Sequence, residues 1–264
     1  MEETEGVTPM PKPPQRTRTT RGCALEALFV VLILIGLGYL LLPQVARVRE
    51  ATPQMTVMNH MKQLGIAFHT YSDTDKDGRL PGANAPYLDP KDGSQKHPVS
   101  WRVLILPYIE HEKLFDEYRF DEPWDGPINI QLIPKMPKVF QHYYADDAKV
   151  PAGHTHYRIF ANRVGAKPSA IFTDGLPGPK LKEIPDGTSN TILIAEAAEA
   201  VPWTMPEVLL FDRNQPLPKL GGLFKGLSLA IFADGSVRPI RNDLPEDKLR
   251  AWITKDGGEP VDWE

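Results

Sequence analysis

The sequence predicts an α+β fold in which one long N-terminal helix leads into a mainly antiparallel β-sheet domain. Two patterns predict it: a continuous apolar segment followed by a helical apolar stripe, and several short β-type runs bounded by turn residues further on. Proline (27 residues) and glycine (20 residues) are abundant, which favours a turn-rich domain over a helical bundle. The formal net charge of −4 gives no indication of a nucleic-acid partner.

Residues 24–42 have the length and composition of a single transmembrane helix. Glu26 is their only charged residue, and roughly twenty apolar residues are enough to span a bilayer. The basic residues before this segment outnumber those just after it, which predicts a cytoplasmic N-terminus and an extracytoplasmic main domain. No small-residue cleavage site follows the segment, so an anchor is favoured over a cleaved secretory signal. The predicted location is the inner (cytoplasmic) membrane, crossed once.

The anchor divides the chain into four predicted segments. Residues 1–21 are rich in Pro, Thr, Glu and Arg and are predicted to be a disordered cytoplasmic tail. Residues 22–43 form the transmembrane helix, residues 44–72 continue it as an amphipathic helix, and residues 73–264 form the extracytoplasmic α+β domain. The amphipathic segment carries apolar residues at steps of three and four, which places one helix face on the domain core. These residues are Val57, Met61, Leu64, Phe68 and Tyr71.

Four runs in the C-terminal half are predicted to be strands of the antiparallel sheet. They are residues 156–161, 191–196, 229–233 and 237–240, and a short helix is predicted at residues 245–254. Asp234 and Gly235 stand between the last two runs, as in a hairpin closed by a type I′ turn.

Asp73, Asp75 and Asp77 form the pattern most suggestive of a metal site. Alternating carboxylates followed by Gly78 suit a Ca²⁺ loop. The twelfth position of such a loop is Asn84, where an EF-hand carries a bidentate glutamate. The favoured interpretation is a solvated turn that ends the helix. Ca²⁺ is the alternative, and no other cofactor is expected.

A pair of histidines offers a second arrangement of possible ligands. His154 and His156 could present two imidazoles on one strand face, with His142, Asp146 or Asp147 as additional zinc ligands. The chain has one cysteine, Cys23, which lies far away at the start of the apolar segment. The favoured interpretation is therefore an edge strand with polar side chains.

Ser189 is the residue that would act as a nucleophile if the protein were a hydrolase. It lies in the segment Asp-Gly-Thr-Ser-Asn at residues 186–190, just before a strand-like run. A nucleophilic serine needs a histidine and an orienting carboxylate, which the sequence does not place beside it. This composition is typical of a tight turn. No catalytic residue is assigned, and we predict that the protein is not an enzyme.

The start of the apolar segment resembles the N-terminal signal of type IV pilins and pseudopilins. Gly22 corresponds to the glycine before the cleaved bond, Cys23 to the first mature residue, and Glu26 to the assembly-guiding glutamate. The rest of the chain is similar to a large family of prepilin-like domains of unknown function, abundant in planctomycete-type bacteria. The motifs that carry this similarity are at residues 61–71, 100–109, 121–125, 136–139, 186–191, 203–207 and 234–237.

The resemblance implies a membrane-anchored, pseudopilin-like envelope protein with a structural, assembly or secretion-related role. Its expected partners are the inner membrane and pilin-like or secretion-apparatus proteins. Here Glu26 stands at the fourth mature position instead of the fifth, and Cys23 replaces the usual bulky apolar residue. We therefore expect cleavage after Gly22 to be inefficient or absent. The alternative function is an anchored extracytoplasmic binding module for an ion, a glycan or a protein, and a hydrolase is the third hypothesis.

Overall fold

The computed structural model describes five stretches of the chain: residues 20–88, 95–142, 150–167, 169–221 and 226–259. In the N-terminal helix, the side chains of residues 20–27 and 38–53 lie outside the described set. The predicted disordered tail at residues 1–21 also lies outside it, apart from the backbone of the last two residues.

Helix α1 spans Thr20–Thr74, and the chain divides into two compact units, Met1–Thr52 and Pro53–Glu264. In the first unit the described side chains are those of residues 28–37, and all of these residues are exposed. Within the part of the chain that the structure describes, no helix combines the length and the apolar composition that a membrane crossing requires. Within the predicted span at residues 24–42, the side chains of residues 24–27 and 38–42 lie outside the described residues.

The second unit begins at Pro53 and includes most of the segment predicted to be an amphipathic helix. The reason is that Val57, Met61, Leu64 and Phe68 are completely buried in its core. Their burial confirms the predicted apolar stripe and assigns this part of α1 to the domain itself.

The elements of the second unit that follow α1 are short. The other helices are α2 (Trp101–Leu104), α3 (Glu112–Glu117) and α4 (Glu246–Ile253), with 3₁₀ turns at Leu106–Ile109, Asn129–Lys135, Lys138–Phe140 and Leu181–Glu183. The strands are β1 (Pro86–Leu88), β2 (Gln95–Pro98), β3 (His154–Arg158), β4 (Phe160–Asn162), β5 (Phe172–Thr173), β6 (Ile192–Pro202), β7 (Leu209–Leu210), β8 (Leu227–Phe232) and β9 (Val237–Arg241).

A four-stranded antiparallel sheet with the order β3-β6-β8-β9 organises the core. The side chains of β8 alternate between two apolar clusters, as the two-residue period of a strand requires. Leu229 and Ile231 join the cluster that contains the buried α1 residues, whereas Ala230 and Phe232 join a cluster that contains Trp252 of α4. One helix therefore packs on each face of this sheet.

Gly65 lets α1 approach the hairpin between β8 and β9. A Cβ atom at this position would stand 3.2 Å from the carbonyl oxygen of Gly235 and 3.4 Å from Cγ2 of Ile231. Both distances are at or below ordinary van der Waals contact, so a small residue sets the separation between helix and sheet.

Most of the predicted elements are confirmed. The predicted strands at residues 191–196, 229–233 and 237–240 lie within β6, β8 and β9 to within one residue at residues 191 and 233, and the predicted C-terminal helix is α4. The prediction of a single strand at residues 156–161 is wrong. This segment contains parts of two strands, β3 and β4, which belong to different sheets. The chain leaves the four-stranded sheet after Arg158, and β4 then pairs in parallel with β5 and β7. Strands β1 and β2 form a separate antiparallel pair.

The turn between β8 and β9 differs from the predicted type I′ turn, which needs two residues with positive φ. Gly235 has a φ of 81°, but Asp234 is not among the described residues with positive φ. The N–H of Phe232 donates to the carbonyl oxygen of Ser236, and the N–H of Gly235 donates to that of Phe232. A longer loop with glycine at its left-handed position therefore closes the hairpin.

Motifs that are distant in the sequence meet around buried aromatic rings. The Trp101 ring lies 5.1 Å from that of Phe68 and 6.0 Å from that of Phe140, and the Phe140 ring stacks on Trp203 at 6.1 Å. Trp203 Nε1 also donates to the carbonyl oxygen of Ile133 at 3.2 Å. These motif residues are therefore part of the packing of the core.

Arg102 is completely buried and joins three segments of the chain. Its guanidinium donates to the carbonyl oxygens of Tyr157 and Met205 and to the hydroxyl oxygen of Ser100. Burial, followed by the nearby charge of Arg158, lowers the pKa of Arg102 to about 9. Arg102 remains charged at neutral pH, and the carbonyl oxygens offset part of its desolvation cost.

Two glycines with similar φ angles provide a test of the close contact between Gly153 and Ile133. Gly153 has a φ of 77° and directly faces the carbonyl oxygen of Ile133, whereas Gly165 has a φ of 81° and open space around it. We expect Gly165→Ala to cost roughly 1–2 kcal/mol, which is the cost of a left-handed alanine. Gly153→Ala should cost at least about 1 kcal/mol more, because its Cβ overlaps with backbone. Chemical denaturation measures the free energy of unfolding of both variants. Equal decreases in this free energy would contradict the close contact between Gly153 and Ile133.

Candidate functional site

Three histidines and one glutamate form a polar cluster in the second unit, in which His60 is half-buried. His60 lies on α1, His142 follows the 3₁₀ turn Lys138–Phe140, His156 lies on β3, and Glu196 lies on β6. The side chains of His142 and Glu196 are 5% and 0% exposed, and His156 is 6% exposed. Ionisable groups this deeply buried need partners, since an unpaired charge in the core is strongly destabilising.

Glu196 has a defined partner for each carboxylate oxygen. Its Oε1 lies 2.6 Å from Nε2 of His142, and its Oε2 accepts the N–H of Leu229 on β8 at 2.7 Å. The carboxylate thus connects two strands of the sheet to the segment that contains His142. His142 is thereby held in place by a short hydrogen bond.

His156 is held in one tautomer by the backbone. Its Nδ1 lies 2.9 Å from the carbonyl oxygen of Ala197, which can only accept, so Nδ1 carries the proton. Its Nε2 is buried and has no hydrogen-bond partner in the described part of the chain. The ring stands 5.8 Å from that of His142, edge to face.

Loss of contact with water favours the neutral form of two of the histidines. It lowers the pKa of His156, while the hydrogen bond to Ala197 and the charge of Glu196 act in the opposite direction. It also lowers the pKa of His60, where a backbone hydrogen bond with Gln141 opposes the shift and His142 adds to it. Acid would therefore force positive charge into the core.

His60 also lines a cleft of about 540 Å³ in the second unit. Gln63 and Ile66 of α1 line one part of this cleft, and Lys135 and Lys138 line another. Because His60 is close to His142 as well, it links the cleft to the polar cluster. The lining mixes apolar side chains with charged and polar ones, so the cleft offers both packing surface and hydrogen-bonding groups to a ligand.

Glu110 lines the same cleft in a strained backbone conformation. Its φ of 64° and ψ of 32° are left-handed, and its N–H donates to the carbonyl oxygen of Leu106. Among the described residues it is the only one other than glycine with a positive φ. Such a conformation costs roughly 1–3 kcal/mol and is common beside ligand sites.

The three aspartates considered for Ca²⁺ lie at the C-terminal end of α1. Asp75 Oδ2 accepts the N–H groups of Asp77 and Arg79, both at 3.0 Å, and Gly78 has a φ of 66°. Asp73 and Asp77 point into solvent as exposed residues. No group of three or more His, Cys, Asp or Glu side chains in the described residues is arranged to hold a metal ion. The geometry is that of the turn that ends the helix.

β3, which carries His154 and His156, is an edge strand of the four-stranded sheet, as the favoured interpretation of this segment has it, but the two histidines differ in burial. His154 is half-buried and lies against the carbonyl oxygen of Ala152, whereas His156 is buried in the cluster. The physical reason is a register shift between Thr155 and Tyr157, which interrupts the alternation of β3. His142, considered as an additional ligand, does lie next to His156. Asp146 and Asp147 lie outside the described residues.

Two other predicted sites have different outcomes. Gly22, Cys23 and Glu26 lie in the helical backbone of α1, but their side chains are outside the described residues. Ser189 is exposed in the turn before β6, in agreement with the turn interpretation. In that turn the Asp186 carboxylate accepts the N–H of Gly257 at 2.7 Å, so its role is to fix the C-terminal segment.

Sequence reasoning missed Glu196 and His60. A signal for Glu196 was present, because it is the one charged residue in the apolar run at residues 192–198. A carboxylate inside a buried strand must find a partner, but the sequence does not show which one. His60 has no such signal, since a histidine beside an apolar helix stripe is a common surface residue.

Residues 46–142 match the sequence model of a family described as "Protein of unknown function (DUF1559)". No curated protein and no solved structure gives a significant match to the chain. Over this segment the chain is therefore similar to a family of domains of unknown function. The matched segment contains every residue that lines the cleft next to His60, and it ends at His142.

The buried histidines predict a pH dependence of stability. Their pKa values are lower in the folded protein than the ordinary value of 6.5, so the unfolded chain binds more protons. Stability should be fully present above about pH 6.5 and should fall as the pH decreases below that value. His156→Asn can keep the bond to Ala197 without titrating, and it should flatten the fall. Melting temperatures between pH 7.5 and 5 measure the effect, with His97→Asn as an exposed control. An unchanged slope in His156→Asn would contradict this role.

Proposed function

We propose that the protein is a single-pass membrane protein whose N-terminal helix anchors an extracytoplasmic, pseudopilin-like domain with a structural or assembly role. The observation that carries the proposal is the exposed apolar surface of residues 28–37 of α1. Their large side chains are between 46% exposed, at Ile33, and 66% exposed, at Phe29. An apolar surface around the whole helix is unfavourable in water and favourable in lipid.

The direction of insertion is proposed from the charge distribution. Lys12, Arg16, Arg18 and Arg21 precede the apolar segment, which favours a cytoplasmic N-terminus. The domain would then face the envelope, where pilin-like or secretion-apparatus proteins are its proposed partners.

The polar cluster supports a role without catalysis. Both oxygens of Glu196 are engaged, one by His142 and one by the Leu229 N–H. These contacts hold β6, β8 and the segment that contains His142 together, which is a structural role. Ser189, the nucleophile considered for a hydrolase, lies in an exposed turn.

The anchor predicts that charges in the apolar surface release the protein from membranes. Arg at two central positions, Leu32→Arg with Ile35→Arg, should cost roughly 5–7 kcal/mol of insertion free energy. Met55 is 64% exposed on the same helix but beyond the predicted span, so Met55→Arg is the control for an added charge outside the span. The measured quantity is the fraction of protein that stays with membranes after an alkaline wash. The proposal would be contradicted if the double variant stayed fully with the membranes. It would also be contradicted if the control variant were released to the same extent as the double variant.

A second function, binding of a ligand by the anchored domain, is favoured by the cleft next to His60. Its volume of about 540 Å³ and the strained Glu110 at its margin are typical of a recognition site. The ligand classes considered for it are an ion, a glycan and a protein.

Filling the cleft tests this second function. Gln63 is exposed on the helix face that lines the cleft, so Gln63→Trp should occupy the space without disturbing the core. Asn59→Trp is the control, because Asn59 is exposed on α1 and does not line the cleft. A glycan array probed with the full chain should give signals that Gln63→Trp loses by at least about tenfold, or about 1.4 kcal/mol. Identical signals for the wild type and both variants would exclude the cleft as the glycan site.

A further inference from the structure

Another cleft, of about 550 Å³, lies between the loops that follow β4 and β7. Strands β4 and β7 are parallel neighbours, so their carboxyl ends lie at the same edge of the three-stranded sheet. Residues 163–167 leave the end of β4, and residues 211–215 leave the end of β7. Crevices beyond the carboxyl ends of parallel strands are recurrent ligand sites.

The lining of this cleft is strongly cationic. Arg163, Lys167 and Arg213 line it and are exposed, and none of them has an ion pair with a described residue. Asp212 is the one carboxylate in the lining, and its Oδ1 already accepts the N–H of Asn214 at 2.9 Å. Three cations facing one engaged carboxylate create a local positive potential in a chain whose formal net charge is −4.

Two carboxylates of neighbouring segments are also engaged elsewhere. Asp174 follows β5, the other neighbour of β4, and its Oδ1 accepts the side-chain amide of Asn84. Both oxygens of Asp256 bind Ser169, one its N–H and the other its hydroxyl. These acids are therefore not aimed at the cationic side chains of the cleft.

Part of the cleft lining is held in place by packing. Leu210 is an exposed lining residue, at 46%, and Phe211 beside it is buried. Arg250 of α4 lies over the Phe211 ring at 5.8 Å and donates to the carbonyl oxygens of Asp212 and Gln215. The 212–215 loop is thus tied to the α4 helix, which favours a site that is formed before the ligand arrives.

We propose that this cleft binds a small organic anion through its carboxylate or phosphate group. Arg163 and Arg213 would supply planar guanidinium donors that fit either oxyanion, and Lys167 a third positive charge. The apolar part of the ligand would lie on Leu210. The site is separate from the cleft next to His60, and it does not depend on the membrane anchor.

The test is calorimetric titration of the full chain in nonionic detergent with two probes, inorganic phosphate and glucuronate. The triple variant R163Q/K167Q/R213Q should weaken binding at least about tenfold, because each lost cation removes an electrostatic contact. The control K76Q/K113Q/K182Q removes the same number of charges from exposed lysines outside the cleft and should retain wild-type affinity. The single variant Lys167→Glu provides a second test if the triple variant is unstable, and it should also weaken binding.

The two probes distinguish the sources of the anion. Preference for phosphate would assign a phosphorylated ligand, and preference for glucuronate would assign a carboxylated sugar or related acid. Equal weakening by the triple variant and its control would show non-specific attraction and overturn the proposal. Absence of binding for both probes at low ionic strength would also overturn it.

Discussion

The packing of α1 against the four-stranded sheet is the contact on which the rest of the domain depends. Val57, Met61, Leu64 and Phe68 are completely buried in one cluster with Leu229 and Ile231 of β8. Each such side chain contributes roughly 1.5–3 kcal/mol on burial, so the stripe outweighs any single polar contact. Gly65 keeps the helix close enough for this contact, since its position faces the backbone of Gly235. The family match begins at residue 46, and it includes all of this stripe.

Buried polar groups then fix the loops around that core. Arg102 donates hydrogen bonds to the carbonyl oxygens of Tyr157 and Met205, and Glu196 connects His142 to the backbone of β8. Buried charges seldom add net stability compared with apolar groups of the same size. They do make alternative packings costly, because each wrong arrangement would leave a charge without partners. This selectivity matters in a domain built from short strands and long connections.

The two clefts differ in chemistry and in their relation to this core. The cleft next to His60 is lined by residues of α1, includes His60 of the polar cluster and contains the strained Glu110. The other lies at the edge of the small parallel sheet, and its charged side chains are exposed and cationic. A domain with one structural core and separate surface clefts can keep its packing unchanged while a cleft binds a ligand. The function of the domain is therefore best sought in these sites, because a fold alone does not specify function.

The sequence by itself determined the features that depend on local periodicity and turn chemistry. The apolar stripe of α1, the hairpin of β8 and β9, the turn before β6 and helix α4 follow from spacings of a few residues. Only the tertiary structure decided which distant groups meet. His142 and Glu196 are brought together across the domain, β3 and β4 separate into different sheets, and three cations converge at the ends of two parallel strands. These arrangements depend on long-range packing and strand order. The pattern of neighbouring side chains along the chain does not show which distant segments will pair.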